Sequence, residues 1–277
     1  MNSINCKGKL LNLYEPIVMG IINATPDSFY EGHLNIATND VVALAGNMIA
    51  DGASILDIGG LSTRPGSQPI SVQEETDRVL PLIENILRAY PDIILSIDTY
   101  NAAVAKAAIM QGAAIINDIS GGNLDDDMIG TAAALGVPYI CMHMMGTPAN
   151  MQKYAVYNNV VNEVLDFFIA KIDSCNKAGI KDIIIDPGFG FAKTIEHNFQ
   201  LLKEMTVLKI AGKPILAGLS RKSSIYKTLG ITAAEALNGT TVLNTMALMN
   251  GASILRVHDV KQATEAVKLY NAYKKAP

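Results

Sequence analysis

Eight short apolar runs, spaced along the whole chain and separated by longer amphipathic stretches, limit the folds open to this sequence. The runs are Ile17–Ile22, Ser54–Ile58, Ile93–Ile97, Ala114–Asn117, Pro138–Met142, Asp182–Ile185, Pro214–Ala217 and Ser253–Val257. Each has the length of a strand buried on both faces, as in a parallel sheet. Helical patterns lie between them, among them Val41–Ala50, Glu74–Ala89, Ala102–Met110, Asp127–Leu135, Val160–Asn176 and Glu196–Ile210. Parallel neighbours need such crossovers, and eight strand–helix units most simply close into a (β/α)8 TIM barrel. An open, doubly wound sheet is the alternative with the same alternation. The 277 residues match the usual size of one such barrel. No Gly/Ser linker or composition break divides the chain, so residues 1–277 are expected to form a single α/β domain.

With 49% hydrophobic and 17% charged residues, the chain has the balance of a globular protein. A net charge of -4 argues against general binding to nucleic acid, while leaving room for a local basic pocket. Cys6, Cys141 and Cys175 are odd in number and lack C-x-x-C spacing, which fits free thiols in a reducing compartment. The N-terminal MNSINCKGKLLNLYEP lacks the apolar core of a signal peptide, and no apolar run has bilayer length. A cytoplasmic protein without membrane partners is expected.

The strand ends carry unusual polar groups. In order they are Asn23, Asp57, Asp98 with Thr99, Asn117 with Asp118, His143, Asp186, Ser220-Arg221-Lys222, and Arg256 with His258. In a barrel, the carboxyl ends of all strands meet on one face, so residues from 23 to 258 would share one pocket. Any one of them could be an ordinary turn residue or helix cap. As a set they are costly at the mouth of an apolar barrel unless a ligand or partner meets them. The amide oxygen of Asn23 could hold a hard cation such as Mg2+, and the plainer alternative is a Pro-Asp turn around Asp27. Thr63 and Arg64 lie in a Gly/Pro-rich stretch of the kind that closes over substrates, although Arg64 could be a surface charge. Arg256 and His258 lie two apart on one strand and so face the same side.

The segments MGIINATPDSF, GGLSTRPGS, SIDT, INDISGG, CMHMMGTP, DPGFGFAKT, GLSRKSS and LRVHDV resemble the successive signatures of dihydropteroate synthases, in the order of that family. They span roughly residues 17 to 260. The resemblance implies condensation of 6-hydroxymethyl-7,8-dihydropterin pyrophosphate with p-aminobenzoate, giving 7,8-dihydropteroate and pyrophosphate. It places Asp98, Asn117 and Asp186 on the pterin edge, Lys222 on the pterin carbonyl side and Met142 against the ring. Asp186 could instead be a helix cap. Arg256 and His258, with Mg2+ on Asn23, would hold the pyrophosphate; His258 alone could be a structural histidine. On that reading, removing Arg256 spares binding of the free pterin alcohol. Ser223, at a helix start, is the family-matched position for the benzoate carboxylate, with Phe191 packing on the benzoate ring and Thr63 and Arg64 closing over both substrates. Arg221 either joins that site or forms a structural ion pair. A homodimer is expected by resemblance, and the apolar stretch GTTVLNTMALMNG is either its contact surface or core.

Two positions depart from the family pattern: Leu61 stands for Glu and Ala192 for Gly. The second requires that position 192 not need a positive φ. Two rivals share the pterin residues. A pterin-binding methyltransferase has no use for the pyrophosphate residues or for SRKS. A silent pterin-binding paralogue would be expected to lack Asn23, Lys222, Arg256 or His258, and all four are present.

Overall fold

The computed structural model describes residues 3–24, 38–61 and 70–277. Thr63 and Arg64, with the Asp27 turn, lie outside the described residues. The chain begins with an antiparallel hairpin, β1 (Ser3–Cys6) and β2 (Lys9–Asn12). Its turn residues Lys7 and Gly8 have φ of +53° and +92°, as a two-residue hairpin turn of the right twist requires. A lysine in the first of these positions conceals the turn from a reading that looks for Asn-Gly or Asp-Gly, and the hairpin was not anticipated.

There follow β3 (Ile17–Asn23), α1 (Thr38–Ala50), β4 (Ile55–Gly59), α2 (Val72–Ala89), β5 (Ile94–Asp98), α3 (Ala102–Gln111) and β6 (Ile115–Asp118). Then come α4 (Met128–Leu135), β7 (Tyr139–Met142), α5 (Val160–Ala178), β8 (Ile183–Asp186), α6 (Ile195–Lys203), β9 (Leu216–Ala217), α7 (Ser223–Leu229), α8 (Leu237–Met249), β10 (Ile254–Val257) and α9 (Val260–Lys275). Strands β3 to β10 pair in parallel in the order β8-β7-β6-β5-β4-β3-β10-β9. A parallel bridge between Ile185 and Ile215 joins the two ends, so the sheet closes into a barrel. The helix expected over 196–210 divides: α6 stops at Lys203, and Met205–Ala211 winds as a 3-10 helix through the β-branched pair Thr206 and Val207.

The two-residue period of the strands sorts every side chain. Leu56, Ile58, Leu95, Ile97, Ile116, Cys141, Ile183, Ile185, Leu255 and Val257 belong to the large core packed under the helices. Their alternates Met19, Ile55, Ile94, Ile115, Ile140, Ile184, Leu216 and Ile254 fill the lower interior of the barrel, where Ile4, Cys6, Leu11 and Leu13 of the hairpin segment join them. The hairpin therefore plugs one end of the barrel. Two and four residues further along, the same inward face carries Asp57, Asp98, Asn117, Met142, Asp186 and Arg256. The lower half of the barrel is thus an apolar plug, and the upper half a polar floor.

Candidate active site

Arg256 lies at the centre of that floor. Its Nε donates to Asp57 Oδ2 at 2.6 Å and its Nη2 to Asp98 Oδ2 at 2.5 Å. Asp57 Oδ2 also accepts from Asn117 Nδ2 at 2.9 Å. Four strands are tied together by these three bonds. Asp57 is fully buried, and Asp98, Asn117 and Asp186 are nearly so. Burial pushes the Asp98 carboxyl up to about 7, against the pull of Arg256, with Asp57 adding to the rise. Burial opposes the charge on Arg256 too, but Asp57 and Asp98 hold its pKa above the ordinary value. Asp98 Oδ1 is buried and has no hydrogen-bond partner among the described residues. An acceptor left so at the mouth of a cavity awaits an N–H donor.

On the other side of the floor, Asp186 Oδ1 accepts from the Gly188 amide at 2.8 Å. This closes a local turn. The expected alternative for Asp186, a helix cap, does not occur, since α6 starts only at Ile195. Gly188 has φ +68°, and a Cβ there would sit 2.0 Å from the His143 carbonyl oxygen, so only glycine fits. Burial raises the Asp186 pKa while Lys222 lowers it. Lys222 Nζ donates to the Phe189 carbonyl and lies 4.8 Å from the centre of the Phe191 ring. Its own pKa is lowered to about 8 by burial, with Asp186 pulling it upward. Met142, Ile119, Met144, Met151 and Ala192 form a separate apolar cluster against which Phe191 packs. That cluster offers a flat ring an apolar wall beside the polar floor.

Ser220 Oγ lies 3.0 Å from His258 Nδ1 and accepts from the His258 amide at 3.2 Å. His258 itself is exposed. Ser223 is the first residue of α7 and is half-buried, as is Asn23 at the end of β3. Among the described residues, no three His, Cys, Asp or Glu side chains gather as a metal cage.

Four polar residues expected at the mouth, Thr99, Asp118, His143 and Arg221, turn away from it; the Thr99 hydroxyl meets the Asn101 amide and Glu75 of α2. Asp118 and His143 follow inward-facing Asn117 and Met142 by one position, so the strand period turns them toward the helices. Asp118 accepts from the Ser120 amide and hydroxyl, the Gly122 amide and the Tyr139 hydroxyl, and is structural. His143 Nδ1 lies 3.0 Å from the Nζ of buried Lys193, and its ring stands edge-on to Phe167. Arg221 takes the other alternative left open for it. Its Nε and Nη2 grip both oxygens of Asp259 at 2.9 and 2.8 Å, and its Nη1 donates to the carbonyls of Ala233 and Ala234. With these groups so held, it clamps the β9–α7 turn, where it has φ +52°. The condition placed on Ala192 also fails: its φ is +47°, a left-handed conformation adopted without glycine.

Sequence reasoning placed Asp57 in the shared pocket without giving it a role, and passed over Lys193. Asp57 carried a signal, an acid in an apolar strand two positions before the strand end. Lys193 carried none, because its partners come from His143, Gly188 and Phe191.

Comparison with known proteins agrees with this geometry. The family model described as pterin binding enzyme matches residues 19–258. Dihydropteroate synthase of Escherichia coli strain K12 is 41% identical over 268 residues, which cover 96% of this chain and 94% of the relative. The Xanthomonas albilineans dihydropteroate synthase with 4-aminobenzoic acid superposes with a TM-score of 0.93 at 38% identity, covering 100% of this chain and 99% of that one. The same enzyme in complex with 7,8-dihydropteroate gives 0.89 at 36% identity, covering 99% and 100%. This chain belongs to the pterin-binding enzyme family and, within it, to the dihydropteroate synthases.

Proposed function

We propose that this chain condenses 6-hydroxymethyl-7,8-dihydropterin pyrophosphate with p-aminobenzoate, forming 7,8-dihydropteroate and releasing pyrophosphate. The observation that carries this reading is the floor itself. Asp98, Asn117 and Asp186 share the inward face of three strands, with Lys222 beside Asp186 and an apolar wall at Met142. A 2-aminopyrimidinone edge brings N–H groups to such acceptors, and a carboxylate can receive two of them. The solved relatives bound to 4-aminobenzoic acid and to 7,8-dihydropteroate supply a substrate and a product of the same reaction.

In this reading the C–O bond to the pyrophosphate breaks with its electron pair on the leaving group. Arg256 and His258, on one face of β10, offset that charge. The pterin-stabilised cation left behind is held near the Asp98 carboxylate. The neutral aromatic amine then attacks the methylene carbon and sheds a proton to solvent or the departed pyrophosphate. No strong base is required, and proximity accounts for much of the rate. Phe191 packs on the benzoate ring, and Ser223 at the start of α7 meets its carboxylate. Asn23 provides one oxygen for Mg2+, which fits a cation that keeps most of its waters and binds through phosphates; when bound it would neutralise pyrophosphate charge. Three free, buried cysteines suit a cytoplasmic setting.

Calorimetry tests the pterin assignment. Asp186→Asn keeps the shape but replaces an acceptor-only group by one that also donates, and should weaken binding of 6-hydroxymethyl-7,8-dihydropterin by roughly 2–4 kcal/mol. Affinity equal to the parent would mean that Asp186 serves only the Gly188 turn.

A further inference from the structure

Asp57 is the most deeply buried carboxylate of the floor. It is 0% exposed, against 9% for Asp98 and 6% for Asp186. In strand register Asp57 pairs with Ser96, whereas Gly59 pairs with Asp98 and Asp98 with Asn117. Asp57 therefore lies one layer beneath the acceptors that face the mouth. Gly59, directly above it on β4, adds no side chain to that upper layer.

A buried carboxylate is kept for its partners, because desolvating it is costly unless they compensate. Its partners are two of the residues read as contacting substrate. Asn117 Nδ2 donates to Asp57 Oδ2, and so does Arg256 Nε. The first contact has a consequence for Asn117. An amide side chain has a donor end and an acceptor end, and turning it end for end costs nothing sterically. An ionised carboxylate accepts only. With Asp57 beneath it, the NH2 end of Asn117 must point down and the oxygen up. No described side chain donates to Asn117 Oδ1.

We propose that Asp57 is a positioning residue that fixes the hydrogen-bonding polarity of the pterin edge, by holding the Asn117 amide with its oxygen toward the ligand. The rim thereby presents acceptors in succession, Asp98 Oδ1, Asn117 Oδ1 and Asp186, with Lys222 the donor at its end. The class of ligand so selected carries several adjacent N–H groups and one acceptor. By anchoring Nε of Arg256, the same carboxylate leaves the terminal nitrogens of the guanidinium for Asp98 and for the mouth. This inference rests on the reading of Asn117 as a pterin contact.

A double-mutant cycle separates the two. Binding of 6-hydroxymethyl-7,8-dihydropterin is measured by calorimetry for the parent, Asp57→Asn, Asn117→Ala and the double variant, with thermal melting to confirm folding. At position 57 an amide can donate as well as accept, so Asn117 is free to turn. Asp57→Asn is expected to weaken binding about tenfold or more in the parent background, and by a factor at least about threefold smaller when Asn117 is already alanine. The same factor in both backgrounds would mean that Asp57 acts only on the general structure, and would overturn the proposal. Unchanged binding in Asn117→Ala alone would instead refute the reading of Asn117. Should Asp57→Asn fail to fold, neutron diffraction from the parent with bound pterin decides. Deuterons of Asn117 lying on Asp57 support the proposal, and deuterons directed at the ligand overturn it.

Discussion

Arg256 joins two functions that its sequence position presents as one. Two apart from His258 on an inward face, it reads as a group for pyrophosphate alone. The structure adds that it is the counter-charge of Asp98, the influence that most lowers a carboxyl that burial nevertheless raises to about 7. Removing it should therefore raise Asp98 further and also harm the pterin site. At pH 6, below the Asp98 pKa in both proteins, Arg256→Ala is expected to lose about tenfold in affinity for the free pterin alcohol, the effect of about one pKa unit on the ionised fraction, and more for the pyrophosphate ester. At pH 8 Asp98 is ionised in the parent and about half ionised in the variant, and the gap for the alcohol should narrow to about twofold. Unaltered alcohol affinity at pH 6 would restore the simpler expectation that Arg256 serves only the leaving group.

At the scale of elements, the strand period decides what the sequence showed and what it hid. All eight barrel strands were legible, to within one or two residues at their ends, because runs buried on both faces are continuous and apolar. So were Asp98, Asn117, Asp186 and Arg256, which stand on the inward face. Asp118 and His143 were misjudged because being at a strand end was taken to mean facing the mouth. One position of offset turns each toward the helices. Arg221 stayed open between substrate and an ion pair, and Lys193 was missed, because the side chains they meet, Asp259 and His143, lie far away in sequence.

His143 shows what facing the helix layer does to a titratable group. Burial, with Lys193 adding to it, lowers its pKa to about 2. With a folded value below the unfolded one, its contribution to stability is present above about 6.5 and is lost as the pH falls below that, by about 1.4 kcal/mol per pH unit. In urea unfolding, the parent should lose roughly 2 kcal/mol more than His143→Gln between pH 6.5 and pH 5. Parallel pH dependences would show that the ring takes up a proton freely in the folded protein.

For the whole molecule, the barrel separates stability from chemistry along its axis. The hairpin and apolar plug close one end, and loops and polar floor occupy the other. Among the described residues no helix is long and apolar enough to cross a membrane. α8 divides its apolar residues between two surfaces. Leu243, Ala247 and Leu248 are buried, while Val242, Met246 and Met249 are exposed, on an adjoining stripe of the helix. We propose that stripe as the contact of the homodimer that the family resemblance implies. Sedimentation equilibrium should find a dimer that Met246→Lys converts to monomer; a dimer that survives the substitution would place the contact elsewhere.

The condensation needs both substrates, and one assay tests that directly. The purified protein is given 6-hydroxymethyl-7,8-dihydropterin pyrophosphate and Mg2+, with and without p-aminobenzoate, and pyrophosphate and 7,8-dihydropteroate are measured together. Sustained pyrophosphate release is expected only when p-aminobenzoate is present, matched mole for mole by 7,8-dihydropteroate. Pyrophosphate released at the same rate without the amine, or no product with it, would show that the protein does not carry out this condensation.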